Sequence, residues 1–303
     1  MKNLLEKIID SNKAYIDNGE VASYIPELAR MDKTKFGISL ADESGITSAG
    51  DHNCNFTMQS IAKPIILLLA LMDNGEDAVR SIVGVEATGK PFDAFNYSDQ
   101  ALRKENINPM INAGAIALCT LINGNSKNER VERLLSLARR MSGNDGLYID
   151  VAVYESEKRT GFKNRALAYM LKAYGMLECD VEEVLDVYFS ACSISVTTND
   201  LCEIAYTLAM RGRSRSGESI FEERYSRYVN AILSTSGMYD GSGEFAIDVG
   251  IPAKSGVGGG IMAIVPEKMG IGIFSPSLDK KGNSIAGVRA IAELSRTLDL
   301  SIF

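Results

Sequence analysis

Histidine is almost absent from this sequence, and tryptophan is absent altogether. His52 is the only histidine, so a histidine-rich metal site is excluded, and a histidine general base could only be this one residue. His52 stands in the polar run from Gly50 to Asn53, which is typical of an exposed loop. A hydrolase built from this chain therefore needs a base other than histidine.

Cysteine is scarce as well, with five residues that are odd in number and scattered along the chain. Most of them lie within apolar helical patterns, so we expect free buried thiols rather than disulfides. No metal-ligand spacing occurs among them, and a catalytic thiol is not expected.

Positively charged residues are fewer than negatively charged ones, and long apolar runs are lacking. The 32 Lys and Arg residues are outnumbered by 39 Asp and Glu, which gives a net charge of −7 and argues against a nucleic-acid partner. No apolar run approaches the roughly 18 residues that a membrane span requires. The charged start from Met1 to Lys7 lacks the apolar core of a signal peptide. We therefore expect a cytoplasmic protein that binds neither nucleic acid nor membrane.

The patterns that are present predict two structural regimes along the chain. Strand-like alternation and flanking helices occupy both ends, whereas helical periodicity fills the middle, where Ser126 and Asp180 are predicted helix N-caps. The prediction is an α+β domain made of residues 1–75 and 235–303, with an all-helical domain, 76–234, inserted in it. The predicted terminal elements are helices at 3–18 and 284–298 and strands at 35–41, 46–49, 245–249, 251–254, 261–265 and 271–274.

One short stretch, Phe56 to Pro64, carries the strongest chemical signal. Ser60 is predicted to be the N-cap of a helix that ends at the turn Asp73 to Gly75. Lys63 then shares a face with Ser60, and a lysine kept partly neutral by burial can act as the base for a serine nucleophile. By itself the pattern S-x-x-K is weak evidence for a catalytic site, because a serine cap followed by a surface lysine is common in helices.

A second signal is the glycine-rich run from Lys254 to Gly260 on a late predicted strand. Small residues there would let the backbone approach a ligand, although a simple hairpin turn explains the glycines equally well. S-x-x-K and K-S-G together match two of the three motifs of penicillin-binding proteins and serine β-lactamases. The N–H groups of Ser60 and Val257 could then form an oxyanion hole. Lys254 would add a cation that keeps Lys63 unprotonated and attracts a substrate carboxylate.

Several further blocks occur in a characteristic order over nearly the whole chain. They are Gly19 to Leu28, Gln59 to Pro64, Asn108 to Ala115, Ser156-Glu157 with Asn164 to Ala166, Tyr188-Phe189 with Cys192-Ser193, Gly237 to Asp240, and Lys254 to Gly260. In these blocks the chain resembles the bacterial-type, serine-dependent glutaminases, which have the β-lactamase-like fold. The resemblance implies an antiparallel sheet with flanking helices, an inserted helical domain, and an active site in the cleft between them.

The same resemblance implies hydrolysis of L-glutamine to L-glutamate and ammonia through an acyl-enzyme. It implies no metal or other cofactor, and a homodimer or homotetramer. The catalytic residues would be Ser60 as nucleophile, Lys63 as its base, and Tyr239 as a proton relay. The substrate-binding residues would be Tyr24, Ser60, Asn112, Glu157, Asn164, Tyr188, Tyr239 and Val257.

The chemistry of these residues agrees with an amino-acid ligand. Glu157 suits an ammonium group, and the amides of Asn112 and Asn164 suit a carboxylate. Without the resemblance, these three would be read as helix caps and a surface acid. Tyr188 and Tyr239 would be read as core aromatic residues. The alternative functions are a β-lactamase or peptidase on the same scaffold, and a non-catalytic sensor of amino acids or β-lactams.

Overall fold

The computed structural model of the protein describes residues 1–87 and 104–303. Its helices are α1 (Lys2–Asn12), α2 (Pro26–Ala29), α3 (Ala62–Ile82), α4 (Asn112–Leu118), α5 (Lys127–Ser142), α6 (Val151–Thr160), α7 (Phe162–Ala173), α8 (Val181–Cys192), α9 (Thr198–Ala209), α10 (Glu223–Ser236), α11 (Ser242–Asp248) and α12 (Ile285–Leu298). Short 3₁₀ turns cover Lys13–Asn18, Gln59–Ile61, Lys104–Asn106, Cys119–Leu121 and Tyr239–Gly241.

The strands form two sheets, and every pairing is antiparallel. They are β1 (Gly37–Asp42), β2 (Gly45–Gly50), β3 (Phe56–Thr57), β4 (Tyr148–Ile149), β5 (Ile194–Val196), β6 (Ala253–Ser255), β7 (Gly260–Val265) and β8 (Met269–Phe274). The larger sheet has the order β2-β1-β8-β7-β6, and the smaller one has the order β3-β5-β4. Because β1 pairs with β8, the first and last strands of the chain lie side by side.

One face of the larger sheet packs against the two terminal helices. Ile271 and Ile273 of β8 point to this face and are fully buried. They form a single apolar cluster with Leu5 of α1 and with Ala290 and Ile291 of α12. The alternation of apolar residues along the strands is the pattern from which these strands were predicted.

The opposite face of the sheet packs against α9. Two glycines of β8 alternate with the isoleucines and touch the helix backbone. A Cβ atom at Gly270 would lie 2.0 Å from the carbonyl oxygen of Cys202, and one at Gly272 would lie 2.2 Å from that of Thr198. The absence of side chains here lets α9 lie directly on the sheet.

We expect Gly270→Ala to destabilise the fold by roughly 1–3 kcal/mol, because the new methyl group must push the backbone of α9 away from the sheet. The matched control is Gly243→Ala in α11, where a Cβ atom would meet nothing within 4 Å. Denaturant unfolding of both variants provides the measurement. Equal midpoints for the two variants would show that the contact between α9 and β8 is not tight.

The helix starts follow their predicted caps. Ser126 Oγ accepts a hydrogen bond from the N–H of Glu129 at 3.2 Å, and Asp180 Oδ1 accepts one from the N–H of Glu183 at 2.9 Å. Each cap satisfies one backbone donor that has no partner within its helix. The predicted turn at Asp73 to Gly75 is also present, because α3 is interrupted there by the non-helical Gly75 (φ 80°).

One predicted strand is wrong: residues 245–249 were expected to be extended, but 242–248 form helix α11. Phe245, Ile247 and Val249 alternate in the sequence as they would in a strand. In the structure Phe245 and Val249 are buried, four residues apart, while Ile247 is 87% exposed. Burial with a spacing of four is the helical pattern, and the sequence alone did not show which of the three residues would be buried.

The middle of the chain is mainly helical where the structure describes it. Between residues 104 and 234 two short strands accompany the helices: β5 pairs with β3 on one side and with β4 on the other. The predicted boundaries of the two domains stay a prediction, and part of the range 76–234 lies outside the described residues. None of the helices in 1–87 and 104–303 combines the length and the apolar character needed to span a membrane.

Candidate active site

Ser60 lies in the 3₁₀ turn between β3 and α3. The residue before it, Gln59, has a left-handed backbone with φ 50°, a conformation that is strained for a residue with a side chain. The prediction that Ser60 is a helix N-cap is wrong, because α3 begins at Ala62 and Ile61 precedes it without a side-chain cap. Because the backbone of Gln59 is left-handed, the 3₁₀ turn begins at Gln59, one residue before Ser60. Neither the 3₁₀ turn nor α3 uses a side-chain cap, so the Ser60 hydroxyl does not serve as one.

Lys63 follows in the first turn of α3 and is fully buried. Its Nζ donates to the carbonyl oxygen of Met110 at 3.0 Å and to Asn112 Oδ1 at 2.7 Å. Burial lowers the pKa of Lys63 to about 8, with a small opposing effect from Cys192. A lysine with this pKa is partly neutral near physiological pH, as the sequence-based hypothesis of a lysine base required.

Met110 and Asn112, which accept from Lys63, lie at the end of a folded loop and at the start of α4. Asn108 is 1% exposed, and its Oδ1 accepts from the N–H of Met110 at 2.9 Å. Its Nδ2 donates to the carbonyl oxygen of Glu86 at 2.9 Å. Asn108 thus uses its amide to fix the loop, which in turn fixes the position of the Lys63 amine.

Asn112 connects Lys63 to α7. While its Oδ1 accepts from Lys63, its Nδ2 donates to Asn164 Oδ1 at 2.9 Å. The prediction placed Asn112 and Asn164 in one site, and the structure brings them into direct contact. Because Asn164 accepts with its oxygen, its own Nδ2 group is directed elsewhere as a donor.

Glu157 of α6 is only 5% exposed. Its Oε1 accepts from the hydroxyl of Tyr24 at 2.7 Å, and the same hydroxyl lies 2.9 Å from Gln59 Oε1. Burial raises the pKa of Glu157, while hydrogen bonds from Tyr24 and Gln59 lower it. Sequence reasoning missed Gln59 as a site residue; its position directly before the nucleophile was the available signal.

Tyr188 and Cys192 lie one turn apart on α8 and are hydrogen-bonded to each other through their side chains. Both are buried. Burial, together with a smaller effect of the nearby Glu157, raises the pKa of Cys192 to about 12. The Cys192 thiol is therefore protonated at neutral pH, and a protonated thiol is a poor nucleophile.

Tyr239 closes the other side of the site. It starts the 3₁₀ turn Tyr239–Gly241 with a left-handed backbone, φ 53°. Burial raises the pKa of the Tyr239 hydroxyl, and the nearby side chain of Ser60 and backbone of Val257 act in the opposite direction. Ser60, Tyr239 and Val257, which were predicted to act at the reacting carbonyl group, thus lie close together.

The glycines around Val257 have a steric cause. A Cβ atom at Gly256 would lie 2.7 Å from the carbonyl oxygen of Met58, and one at Gly260 would lie 2.6 Å from the ring of Phe56. The turn between β6 and β7 therefore rests directly on the segment that leads into Ser60. This close approach is the reason for the glycine-rich run, which the sequence left open between a turn and a binding edge.

Lys254 differs from its prediction. Its side chain is fully buried, and its Nζ donates to the carbonyl oxygens of Gly237 and Ser255. A substrate carboxylate therefore has no exposed surface of Lys254 on which to bind, because the side chain is enclosed by the protein. Within the described ranges 1–87 and 104–303, no group of His, Cys, Asp and Glu side chains is arranged to hold a metal ion.

Comparisons with known proteins give one consistent answer. The glutaminase family model matches residues 19–303. A glutaminase of Clostridioides difficile (strain 630) is 51% identical over 304 residues, which cover 100% of this chain and 98% of that protein. Glutaminase 2 of Clostridium perfringens (strain 13 / Type A) is 48% identical, with 100% of both chains covered.

Solved structures of glutaminases superpose on this protein over nearly its whole length. The probable glutaminase ybaS superposes with a TM-score of 0.93 at 35% identity, covering 100% of this chain and 99% of that one. Bacillus subtilis glutaminase YbgJ, in covalent complex with 5-oxo-L-norleucine after reaction with 6-diazo-5-oxo-L-norleucine, has a TM-score of 0.91 at 36% identity, with the same coverage. The predicted α+β fold is confirmed by these neighbours. Since both the family model and the relatives match nearly the whole chain, the protein belongs to the glutaminase family.

Proposed function

We propose that this protein hydrolyses L-glutamine to L-glutamate and ammonia through an acyl-enzyme on Ser60. The observation that carries the proposal is that Ser60 lies close to the Tyr239 hydroxyl and is followed, three residues later, by the fully buried Lys63. The covalent complex formed by the B. subtilis glutaminase supports a covalent mechanism in this family.

In the proposed first step Ser60 Oγ attacks the side-chain amide carbon of glutamine while its proton passes to Lys63. Two N–H bonds of Lys63 are directed to Met110 and Asn112, so in the neutral amine the lone pair takes a remaining tetrahedral direction. The N–H groups of Ser60 and Val257 stabilise the oxyanion. Ammonia leaves with a proton relayed through Tyr239, and water then attacks the ester to release glutamate and restore the Ser60 hydroxyl.

We further propose how the pocket recognises an amino acid. Glu157 binds the α-ammonium group, with Tyr24 at the rim of the pocket. Asn112 and Asn164 donate to the α-carboxylate, and Tyr188 completes the wall. The support is the burial of Glu157 beside a half-exposed Tyr24, because a buried carboxylate favours a cationic ligand.

Ammonia release from glutamine and asparagine, together with the colour change of a chromogenic β-lactam, tests the proposal against its alternatives. We expect turnover of glutamine to exceed that of asparagine, with no β-lactam hydrolysis, because the pocket offers partners for a free amino acid. Preferential β-lactam hydrolysis would favour the β-lactamase or peptidase alternative. Binding of glutamine without ammonia release would favour a sensor module.

Glu157→Gln is expected to raise KM for glutamine roughly 10- to 100-fold, since a hydrogen bond between charged groups contributes about 1.5–3 kcal/mol. The value of kcat should change much less. Glu155→Gln, on the exposed face of the same helix, is the matched control and should behave like the wild type. Unchanged KM in Glu157→Gln would remove this carboxylate from the substrate site.

The assembly and location of the protein remain proposals. We propose a homodimer or homotetramer, which light scattering of the purified protein tests directly. We also propose a cytoplasmic protein, and fractionation of the producing cell is the test. We also propose that residues 1–75 and 235–303 form one domain and that residues 76–234 form a helical domain. The active site would lie between the two.

A further inference from the structure

Lys254 is a second fully buried lysine beside the proposed active site, and the proposed reaction does not use it. It lies on β6, three residues before Val257. Its Nζ donates to the carbonyl oxygen of Gly237 at 3.0 Å and to that of Ser255 at 2.5 Å. The same nitrogen lies 4.3 Å from the centroid of the Tyr239 ring.

These surroundings match an ammonium group. Two carbonyl oxygens and the face of an aromatic ring are all electron-rich, and an ammonium group has three N–H bonds to direct at them. A neutral amine would have to point its lone pair at one of the three. Burial and the neighbouring Lys63 lower the pKa of Lys254, and the three acceptors act in the opposite direction by stabilising the cation.

The groups that Lys254 contacts belong to the two segments that carry Tyr239 and Val257. The Gly237 carbonyl also accepts from the N–H of Ser255 at 3.2 Å, so β6 and the end of α10 are joined at this point. Two residues after Gly237, Tyr239 adopts its left-handed backbone conformation. Such a conformation persists only when its surroundings hold it, and Lys254 contacts both the ring of Tyr239 and the chain that leads to it.

We propose that Lys254 is a positioning residue for Tyr239: it holds the ring and the adjoining turn so that the hydroxyl faces Ser60. Its positive charge under the ring also favours the negative charge that the hydroxyl oxygen develops during proton transfer. The inference rests on the proposed glutaminase reaction and assigns a role to a residue that touches neither the substrate nor Ser60.

A double-mutant cycle between Lys254→Met and Tyr239→Phe tests this role. Methionine keeps the length and apolar stem of lysine and removes the charge, while phenylalanine keeps the ring and removes only the hydroxyl. For Lys254→Met alone, we expect kcat for glutamine to fall roughly 100-fold, as for other misplaced catalytic groups. KM should stay within about twofold, because no ground-state contact is lost.

In the Tyr239→Phe background, Lys254→Met should lower kcat by less than about threefold, because residues that act as one unit are not additive. Equal losses in both backgrounds would show that Lys254 acts by general packing, and a wild-type kcat in Lys254→Met would also overturn the inference. If wild-type protein releases no ammonia from glutamine, it is the proposed function that fails.

Two further variants keep the test interpretable. Ser275→Ala changes a fully buried serine whose hydroxyl has no hydrogen-bond partner among the described residues, and it should leave kcat unchanged. Thermal unfolding shows whether Lys254→Met is folded. If it is not, Lys254→Arg replaces it in the cycle: a cation against the ring should keep kcat within about tenfold of the wild type. A loss in Lys254→Arg that persists in the Tyr239→Phe background would contradict the inference.

Discussion

Ser60→Ala is expected to lower kcat for glutamine hydrolysis roughly 10⁴- to 10⁶-fold, the loss seen when a serine nucleophile is removed from other acyl-transfer enzymes. The hydroxyl has no substitute in this site, because the nearby Cys192 thiol has its pKa raised by burial to about 12. Stability should hardly change, since neither the 3₁₀ turn nor α3 uses a side-chain cap. Ammonia release and thermal unfolding provide the two measurements.

The same variant should also fail to form a covalent adduct. 6-Diazo-5-oxo-L-norleucine, which modifies the B. subtilis glutaminase, is the probe, and intact-protein mass spectrometry is the readout. Wild type and the Ser275→Ala control should gain one adduct each, whereas Ser60→Ala should gain none. An adduct on Ser60→Ala, or full turnover by it, would place the nucleophile elsewhere.

Lys63→Met is expected to lower kcat roughly 10²- to 10⁴-fold, the range for loss of a general base. The pH dependence gives a sharper test, because only the neutral amine can accept the Ser60 proton. With the pKa of Lys63 lowered to about 8, kcat/KM of the wild type should rise with pH below that value and level off above it. Protonation of Lys63 in acid removes the base, which fixes the sign of the effect.

In Lys63→Met the residual activity should lack this rise near pH 8. Lys268→Met, in the exposed turn between β7 and β8, is the control and should keep the wild-type profile. If Lys63→Met retained the same pH-dependent limb, the titrating group would be another residue, and Tyr239 would be the first to examine by Tyr239→Phe.

The local signals in the sequence predicted most of the fold. Apolar alternation identified β1, β2, β7 and β8, and side-chain caps identified the starts of α5 and α8. These features depend on neighbours within a few residues of each other. The error at Phe245 to Val249 has the opposite origin, because which of its apolar residues is buried depends on segments distant in sequence.

In the site, too, features set by nearby residues were predicted and features set by distant residues were not. The Ser60-Lys63 spacing predicted the reaction type, and the polar residues on separate helices were assembled only by resemblance to a family. Gln59 and the carbonyl oxygen of Met110 were missed because their roles come from backbone conformation and from a long-range contact. Lys254 was given a role toward the substrate, since a sequence does not show whether a side chain on a strand faces the pocket or the interior.

The pairing of β1 with β8 also affects how the protein folds while it is being synthesised. Gly37 pairs with Phe274 and Ala41 with Gly270, so the second neighbour of β1 becomes available only after more than 200 further residues have been synthesised. Contacts between residues so far apart in sequence slow folding and leave apolar strands exposed meanwhile. The segment that leads into Ser60 rests on the turn that follows β6. Ser60 is therefore synthesised early, but its site is complete only when the last strands have folded.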